Sequence, residues 1–521
     1  MPRRTATLSP AAPAAAALLV GLTVVNVYRA STQSVVYDEA FTYLAFLSGP
    51  LSLVFTEYTA NNHVLFSLLA RLSTGLFGVS ELTLRLPAVA AGIVYFAAIF
   101  ALCRLVFGTG LLFLITTAAL SLNPVILDFL SAARGYGVAL ASFIVALYLL
   151  TRAPVSDDGP PRAWWLGASL ALATAVSASL TFAPPAVALA GAAVLTDAMR
   201  RPRARPFVAA RHLRRAAVWL WGPGLVAGCA FLAVPLSRAG REHFFFGAST
   251  LGRTVTSLVE ASFGHDAGAW PISAPEVAPD LLSRVVAWGI VAPTMVMVAW
   301  VVCLSVRRTV GARGRSPLDL VDRFLILVGG TLALTLILLV GARWWLNLPY
   351  PFARTGLYFI PLFVLAAAAL IAKLRQSAGA RTALAGAMLA MLALSVARCA
   401  PELTASYYYE WRYDAGTRDI FDIIATWPYE GDAAGGVRVA ASKWLYSPSL
   451  NFYRAARRNH HVAPVEDGWE SGEDYDFFVV SPADLDRAQL VAGPVYVHPV
   501  SGAVLLVNRR STVLEGSPGQ Q

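Results

Sequence analysis

Residues able to move protons or hold anions gather in four short stretches of an otherwise apolar chain. The first is Asp38-Glu39, within VVYDEAFTYL. A carboxylate shielded from water can take the proton of an attacking hydroxyl or amine, which is general-base work. Neighbouring helix residues point about 100° apart, so only one of the pair can aim into a given pocket. The plainer reading is a solvated pair, or charges favoured at a helix N-terminus by its dipole. The second stretch is Asn61-Asn62-His63, with amide donors and an imidazole at a helix start, where Asn is also an ordinary cap. The third is NPVILDFLSAARGYG, residues 123–137, an expected outer turn between two apolar runs. It holds Asp128, Arg134 and Tyr136 with little room to leave the membrane surface, and charges so confined pair or line a cavity. Asp128 suits a metal or an acceptor and Arg134 a phosphate, while an Asp128–Arg134 pair closing the hairpin is the plainer arrangement. In the fourth, RWWLNLPYPFARTGLYFIP (343–361), Arg354 begins a span with no obvious acidic neighbour. Its guanidinium matches a phosphate oxyanion, with snorkelling toward headgroups as the alternative. His243, Glu260, His265 and Asp266, in a long loop, fit no metal-binding spacing.

The elements that must position these groups are membrane helices. Of the 521 residues, 57% are hydrophobic and 14% charged, with a mean hydropathy of +0.59. Soluble domains carry about 25% charged residues, and repeated apolar runs of about 20 residues suit a bilayer. Eleven spans are expected, near 12–30, 87–106, 111–127, 136–151, 163–179, 182–198, 216–236, 285–306, 322–341, 354–372 and 381–398. The four cysteines show no paired spacing of a disulfide framework or zinc site. MPRR and the Ala/Leu/Val run after it read as an uncleaved first span.

The net charge of +10 comes from arginines grouped in short connections, the pattern of cytoplasmic loops rather than of a nucleic-acid surface. Those at 200–215, 307–323 and 373–381 fall on one side together with Arg3 and Arg4 when the spans number eleven. Residues 31–86, 128–135, 237–284, 342–353 and everything after about 399 are then extracytoplasmic, in a multi-pass protein of the cell membrane. Segment 31–86 has helical apolar spacing without a full span, as interfacial helices do. Residues 1–399 thus form an all-α polytopic bundle. After Cys399, an amphipathic entry (YYYEWRYDAGTRDIFDIIATW) precedes strand-like runs at VRVAAS, YDFFVVS and AVLLVNRR, which predicts a small α/β domain over 400–521.

Together YDEAFTYL at 37–44, NNHVLFSLLARLSTGLFGVSELTLRLP at 61–87, NPVILDFLSAARGYG and ARTGLYFIPL at 353–362 resemble the GT-C superfamily of membrane glycosyltransferases. That superfamily includes the protein O-mannosyltransferases and the aminoarabinose transferase acting on lipid A. The resemblance implies a polyprenyl-phosphate sugar donor, a glycan, lipid or polypeptide acceptor and inversion at the anomeric carbon. Asp38 would match the family's first-loop catalytic aspartate, with Glu39 beside it. Arg134 and Arg354 would steady the departing phosphate, with Asn62, His63 and Tyr136 as further substrate contacts. Asp128 lies where some members place a second acidic residue linked to a divalent cation. The C-terminal segment departs from the β-trefoil or carbohydrate-binding modules of some relatives; its Tyr407, Tyr408, Tyr409, Trp411 and Trp444 are candidates for stacking on sugars.

Two other classes stay open on the sequence: a transporter or flippase, and a non-catalytic assembly subunit. Transporters often show repeats and binding groups at the midplane, whereas these charges gather at one membrane face and no repeat is apparent.

Overall fold

A computed structural model describes residues 10–154, 161–199, 206–263, 318–376, 378–427, 436–469, 475–489 and 492–508, with scattered positions over 284–299. Seven helical stretches in it are long and apolar enough to cross a membrane: Ala11–Thr32, Glu81–Phe107, Gly135–Arg152, Leu180–Met199, Ala210–Arg238, Leu320–Leu346 and Ala380–Glu402. Shorter apolar helices include Leu111–Ser121, Arg162–Ala178 and Phe359–Leu374. Most of the span expected at 285–306 lies outside the described residues, as do His265 and Asp266.

Local chemistry explains where boundaries moved. Ser80 accepts a hydrogen bond from the Thr83 amide, a cap that starts the helix at Glu81, ahead of the expected 87. The run expected as one span over 111–127 breaks after Ser121. There Asn123 caps a separate short helix, Pro124–Phe129, with proline at its first turn. The expected outer turn is therefore buried protein throughout residues 124–134. Within residues 31–86, Val64–Phe77 is helical, with Leu72, Leu76 and Phe77 exposed. Helix Gly135–Arg152 packs between Glu81–Phe107 and Arg162–Ala178, and Leu320–Leu346 packs on Ala183–Met199.

The C-terminal strands are β1 (Val439–Ala441), β2 (Glu466–Asp467), β3 (Phe477–Val480), β4 (Ala492–Val497) and β5 (Val504–Asn508), in the order β2-β1-β3-β5-β4. β1 runs parallel to β2 and β3, while β5 runs antiparallel to β3 and β4. The three strands read from sequence are β1, β3 and β5. Edge strand β4 carries Pro494 beside a bulge, where a missing N–H does least harm. Helix Ser447–Ala456 packs against the short helix Tyr37–Thr42, so this domain rests on the segment that carries Asp38. The Val35 amide donates to the Tyr453 hydroxyl at 2.8 Å, and the Tyr37 amide to Asp414 at 2.6 Å.

Candidate active site

Asp38 and Glu39 leave the same helical turn in different directions, and their surroundings separate their roles. Glu39 is fully buried, with its oxygens 2.8 Å from Arg85 Nε and 2.6 Å from Arg85 Nη2. It also accepts from the amides of Val36 at 3.0 Å and Ala133 at 2.5 Å. The remaining Arg85 donors reach the carbonyls of Ala30, Gln33 and Ser34. Both oxygens of Glu39 are thus engaged by Arg85 and by backbone amides, unlike those of Asp38. Arg85 went unremarked in sequence because SELTLRLP looks like a span entry with one snorkelling cation.

Asp38 is 7% exposed. Its Oδ2 lies 3.3 Å from Arg354 Nη1 and 3.8 Å from Arg134 Nη2, yet accepts no well-directed hydrogen bond. Burial pushes the carboxyl up, but the two guanidiniums, aided by hydrogen bonds from Asn61 and Trp411, outweigh it and hold Asp38 below the usual carboxylate range. A carboxylate kept ionised, with one oxygen not committed to a donor, is equipped to receive a proton.

Arg134 caps the helix that begins at Gly135 and donates to the Asp38 carbonyl, Thr42 Oγ1 and Asn61 Oδ1. Its expected partner Asp128 is elsewhere. Glycine at 135 is required by close approach, since a Cβ there would lie 1.9 Å from the Ala178 carbonyl oxygen. His63 Nδ1 is 3.0 Å from that same oxygen, which makes Nδ1 the protonated nitrogen and leaves Nε2 without a partner. Burial, with the Arg134 charge added, drives the imidazole far below its ordinary value, so His63 is neutral. The Tyr136 ring packs 5.0 Å from His63 and 4.9 Å from Phe129. Asn62 turns away and donates to the carbonyls of Val54 and Glu57, latching the loop. It is the neighbouring Asn61, and not Asn62, whose side chain meets Arg134.

Two corrections concern the other charges. Arg354, in a 3-10 turn before helix Phe359–Leu374, does have an acidic neighbour: Glu410 Oε2, 2.5 Å from Nη1. Asp128 pairs with Arg29 through one oxygen, and the other accepts the Tyr409 amide at 2.8 Å. With both oxygens engaged, the metal role expected of Asp128 finds no support. Among the described residues no three His, Cys, Asp or Glu side chains gather as a metal site. Arg29 and Glu410 were both missed. A cation in the last turn of a membrane span was the available signal for Arg29; Glu410, inside a stretch read as an amphipathic helix, gave none.

Residues 407–414 of the C-terminal domain close the site. Trp411 lies against Phe129 and under the Arg354 guanidinium, 5.5 Å from its ring centre. Tyr408 is buried between Arg29 and Arg85, at 5.0 and 5.1 Å, which makes it packing rather than a sugar platform. Trp444 is exposed. Glu410 is raised by burial, opposed by Arg354 and reinforced by Asp38 and Asp128.

Residues 61–220 match the family model described as dolichyl-phosphate-mannose-protein mannosyltransferase. The match takes in Asn61, His63 and Arg134 but not Asp38 or Arg354. No curated protein matches the chain by sequence. Two crystal structures of ArnT from Cupriavidus metallidurans are similar to it at 16% sequence identity. The one bound to undecaprenyl phosphate covers 95% of this chain and 98% of its own, with a TM-score of 0.42. The apo one covers 96% and 98%, with a TM-score of 0.46. Over residues 61–220, then, the chain is similar to the protein mannosyltransferases, in keeping with the GT-C resemblance carried by its motifs.

Proposed function

We propose that this chain is a membrane glycosyltransferase that moves a sugar from a polyprenyl-phosphate donor to an extracytoplasmic acceptor. The observation that carries the reading is Asp38, buried, with an oxygen that accepts no hydrogen bond facing Arg354 and Arg134. The family match over 61–220 supports the chemistry class.

In this reading the acceptor oxygen attacks the anomeric carbon from the side opposite the phosphate, and the configuration inverts. The bond from that carbon to the phosphate oxygen breaks, and its electron pair leaves with the lipid phosphate. Asp38 takes the acceptor's proton as the new bond forms. Arg354 and Arg134 neutralise the charge that grows on the leaving phosphate, a preorganised arrangement in a site with little water. As they turn toward the phosphate, Asp38 loses part of its compensating charge and becomes the stronger base. Asn61 and Thr42 keep Arg134 aimed while this happens. The grouping of arginines in the connections supports an orientation with Asp38 and the C-terminal domain on the outer side.

The test is sugar transfer by the purified protein, followed by mass spectrometry of the co-purified or added lipid-linked sugar. The reading expects the donor to be consumed, with Asp38→Asn still binding donor but not transferring. Transport of an unaltered substrate across vesicles without glycosidic bond formation would overturn it.

A further inference from the structure

Trp444 is costly to the C-terminal domain in two ways. Its side chain is 65% exposed, and its backbone sits at φ +66°, in the left-handed region that a bulky residue seldom adopts. Two contacts to one oxygen hold it there. The Trp444 amide donates to Asp467 Oδ1 at 2.8 Å, and the Ser447 hydroxyl donates to the same atom at 3.2 Å. A strained backbone that presents a large ring to water, instead of burying it, is the kind of strain found at ligand sites. Trp344 and Trp345 are exposed too, but they end a membrane span, where belt aromatics belong.

The sheet topology supplies a second, independent pointer to the same place. β1 lies between β2 and β3 and runs parallel to both. From the carboxyl end of β1 the chain turns through helix Ser447–Ala456 to β2 on one side. From the carboxyl end of β3 it turns through the short helix Leu485–Gln489 to β4 and β5 on the other. Connections that diverge from neighbouring parallel strands open a crevice at their carboxyl ends, which is where such sheets bind ligands. Trp444 follows β1 at that crevice. Its floor is tied by the Ser442 and Ser481 hydroxyls, which donate to Asp484 Oδ2 at 2.5 and 3.0 Å.

The groups at the rim suit a sugar. Lys443 Nζ lies 5.8 Å from the Trp444 ring centre, and the Asp467 carboxylate beside it is exposed. One face of a pyranose is a patch of C–H groups with partial positive charge, which meets the negative face of an indole. Its hydroxyls can donate to a carboxylate and accept from an ammonium. Helix Ser447–Ala456, three residues past Trp444, packs on Tyr37–Thr42. Burial raises the Tyr37 phenol, and the charges of Asp467 and Asp38 add to this, so the carboxylate under Trp444 and the proposed base act on one side chain. We propose that Trp444, Asp467 and Lys443 bind a pyranose glycan, with Trp444 stacked on a sugar ring and the two charged groups holding its hydroxyls. That this glycan is the acceptor rests on the transferase reading; that it binds here does not.

The test is saturation-transfer NMR on the full chain, without donor, in a detergent that has no sugar headgroup. Mannotriose, cellotriose and galactotriose are the probes, and at least one is expected to bind. In Trp444→Gly its affinity should fall roughly tenfold, the usual order for a lost aromatic stack. The unfolding midpoint of that variant should stay level or rise, because glycine suits a positive φ. Trp444→Phe should keep most of the binding. Failure of all three sugars to bind overturns the proposal, as does unchanged affinity in Trp444→Gly. So does a Trp444→Gly variant that loses only its association with phosphatidylglycerol vesicles, which would make the ring a membrane anchor. Asp38→Asn should bind the trisaccharide as the parent does. Binding that survives in a parent protein unable to transfer sugar would sink the transferase reading alone, whereas transfer with an unaltered acceptor KM in Trp444→Gly would sink the acceptor role assigned here.

Discussion

Asp38 and Glu410 meet on a single nitrogen, Arg354 Nη1, at 3.3 and 2.5 Å. One carboxylate comes from the short helix Tyr37–Thr42 and the other from the C-terminal part of the chain. The shorter contact belongs to Glu410, so the proposed phosphate ligand is already occupied by an internal anion that an arriving donor must displace.

Glu410→Gln is therefore expected to bind the donor more tightly. Removing a charge-assisted competitor should raise affinity roughly tenfold. Titration with a phosphodiester donor analogue measures it, and equal affinity in the variant and the parent would show that Glu410 does not guard Arg354.

The same pair predicts a pH response. Burial raises Glu410 while the arginines lower Asp38. On acidification Glu410 takes up its proton first and releases Arg354, while Asp38 stays charged. Affinity for the phosphodiester analogue, which does not titrate in this window, should rise as pH falls through the raised Glu410 value. In Glu410→Gln the rise should be absent, with affinity high throughout.

Asp38→Asn removes the proton acceptor but leaves both guanidiniums in place. Turnover is expected to fall by about 10²–10⁴-fold, the usual worth of a general base, with donor binding retained or strengthened. Single-turnover assays against lipid-binding isotherms separate the two effects.

Glu39→Gln should behave differently despite adjoining Asp38. It leaves Arg85 buried without its counter-charge, and breaking a pair of this kind costs about 3–5 kcal/mol. A large drop in unfolding midpoint is expected, with the folded fraction keeping its turnover per molecule. A stable but inactive variant would reverse the roles assigned to the two residues.

Asp128→Asn is expected to loosen residues 407–414 from the bundle, because Asp128 ties Arg29 to the Tyr409 amide. Limited proteolysis within that stretch should quicken, and added divalent cations should not slow it.

These expectations differ in how far they could be read from sequence. Hydropathy located the seven long apolar helices of the described residues because a bilayer demands long apolar runs, and the β1, β3 and β5 runs carried their own strand pattern. That Asp38 and Glu39 aim into different surroundings followed from helix geometry, but which of them meets Arg134 and Arg354 did not, because Arg85 and Arg354 lie far along the chain. The pairs Arg29–Asp128 and Arg354–Glu410 join residues with no local signature. Asn62 drew notice for its type, yet it is Asn61 whose side chain meets Arg134.

The docking of Ser447–Ala456 onto Tyr37–Thr42 bears on how the molecule is made. A ribosome delivers Asp38 near the beginning and Glu410, Trp411 and Tyr453 near the end. Until those late residues are made and docked, the early carboxylate waits without its roof, and the Val35 and Tyr37 amides without their acceptors. A nascent chain halted before residue 400 would already hold Asp38 and both arginines that face it, but leave them open to water. Competence at this site is therefore expected to arrive only when the C-terminal domain settles, however early the helices insert.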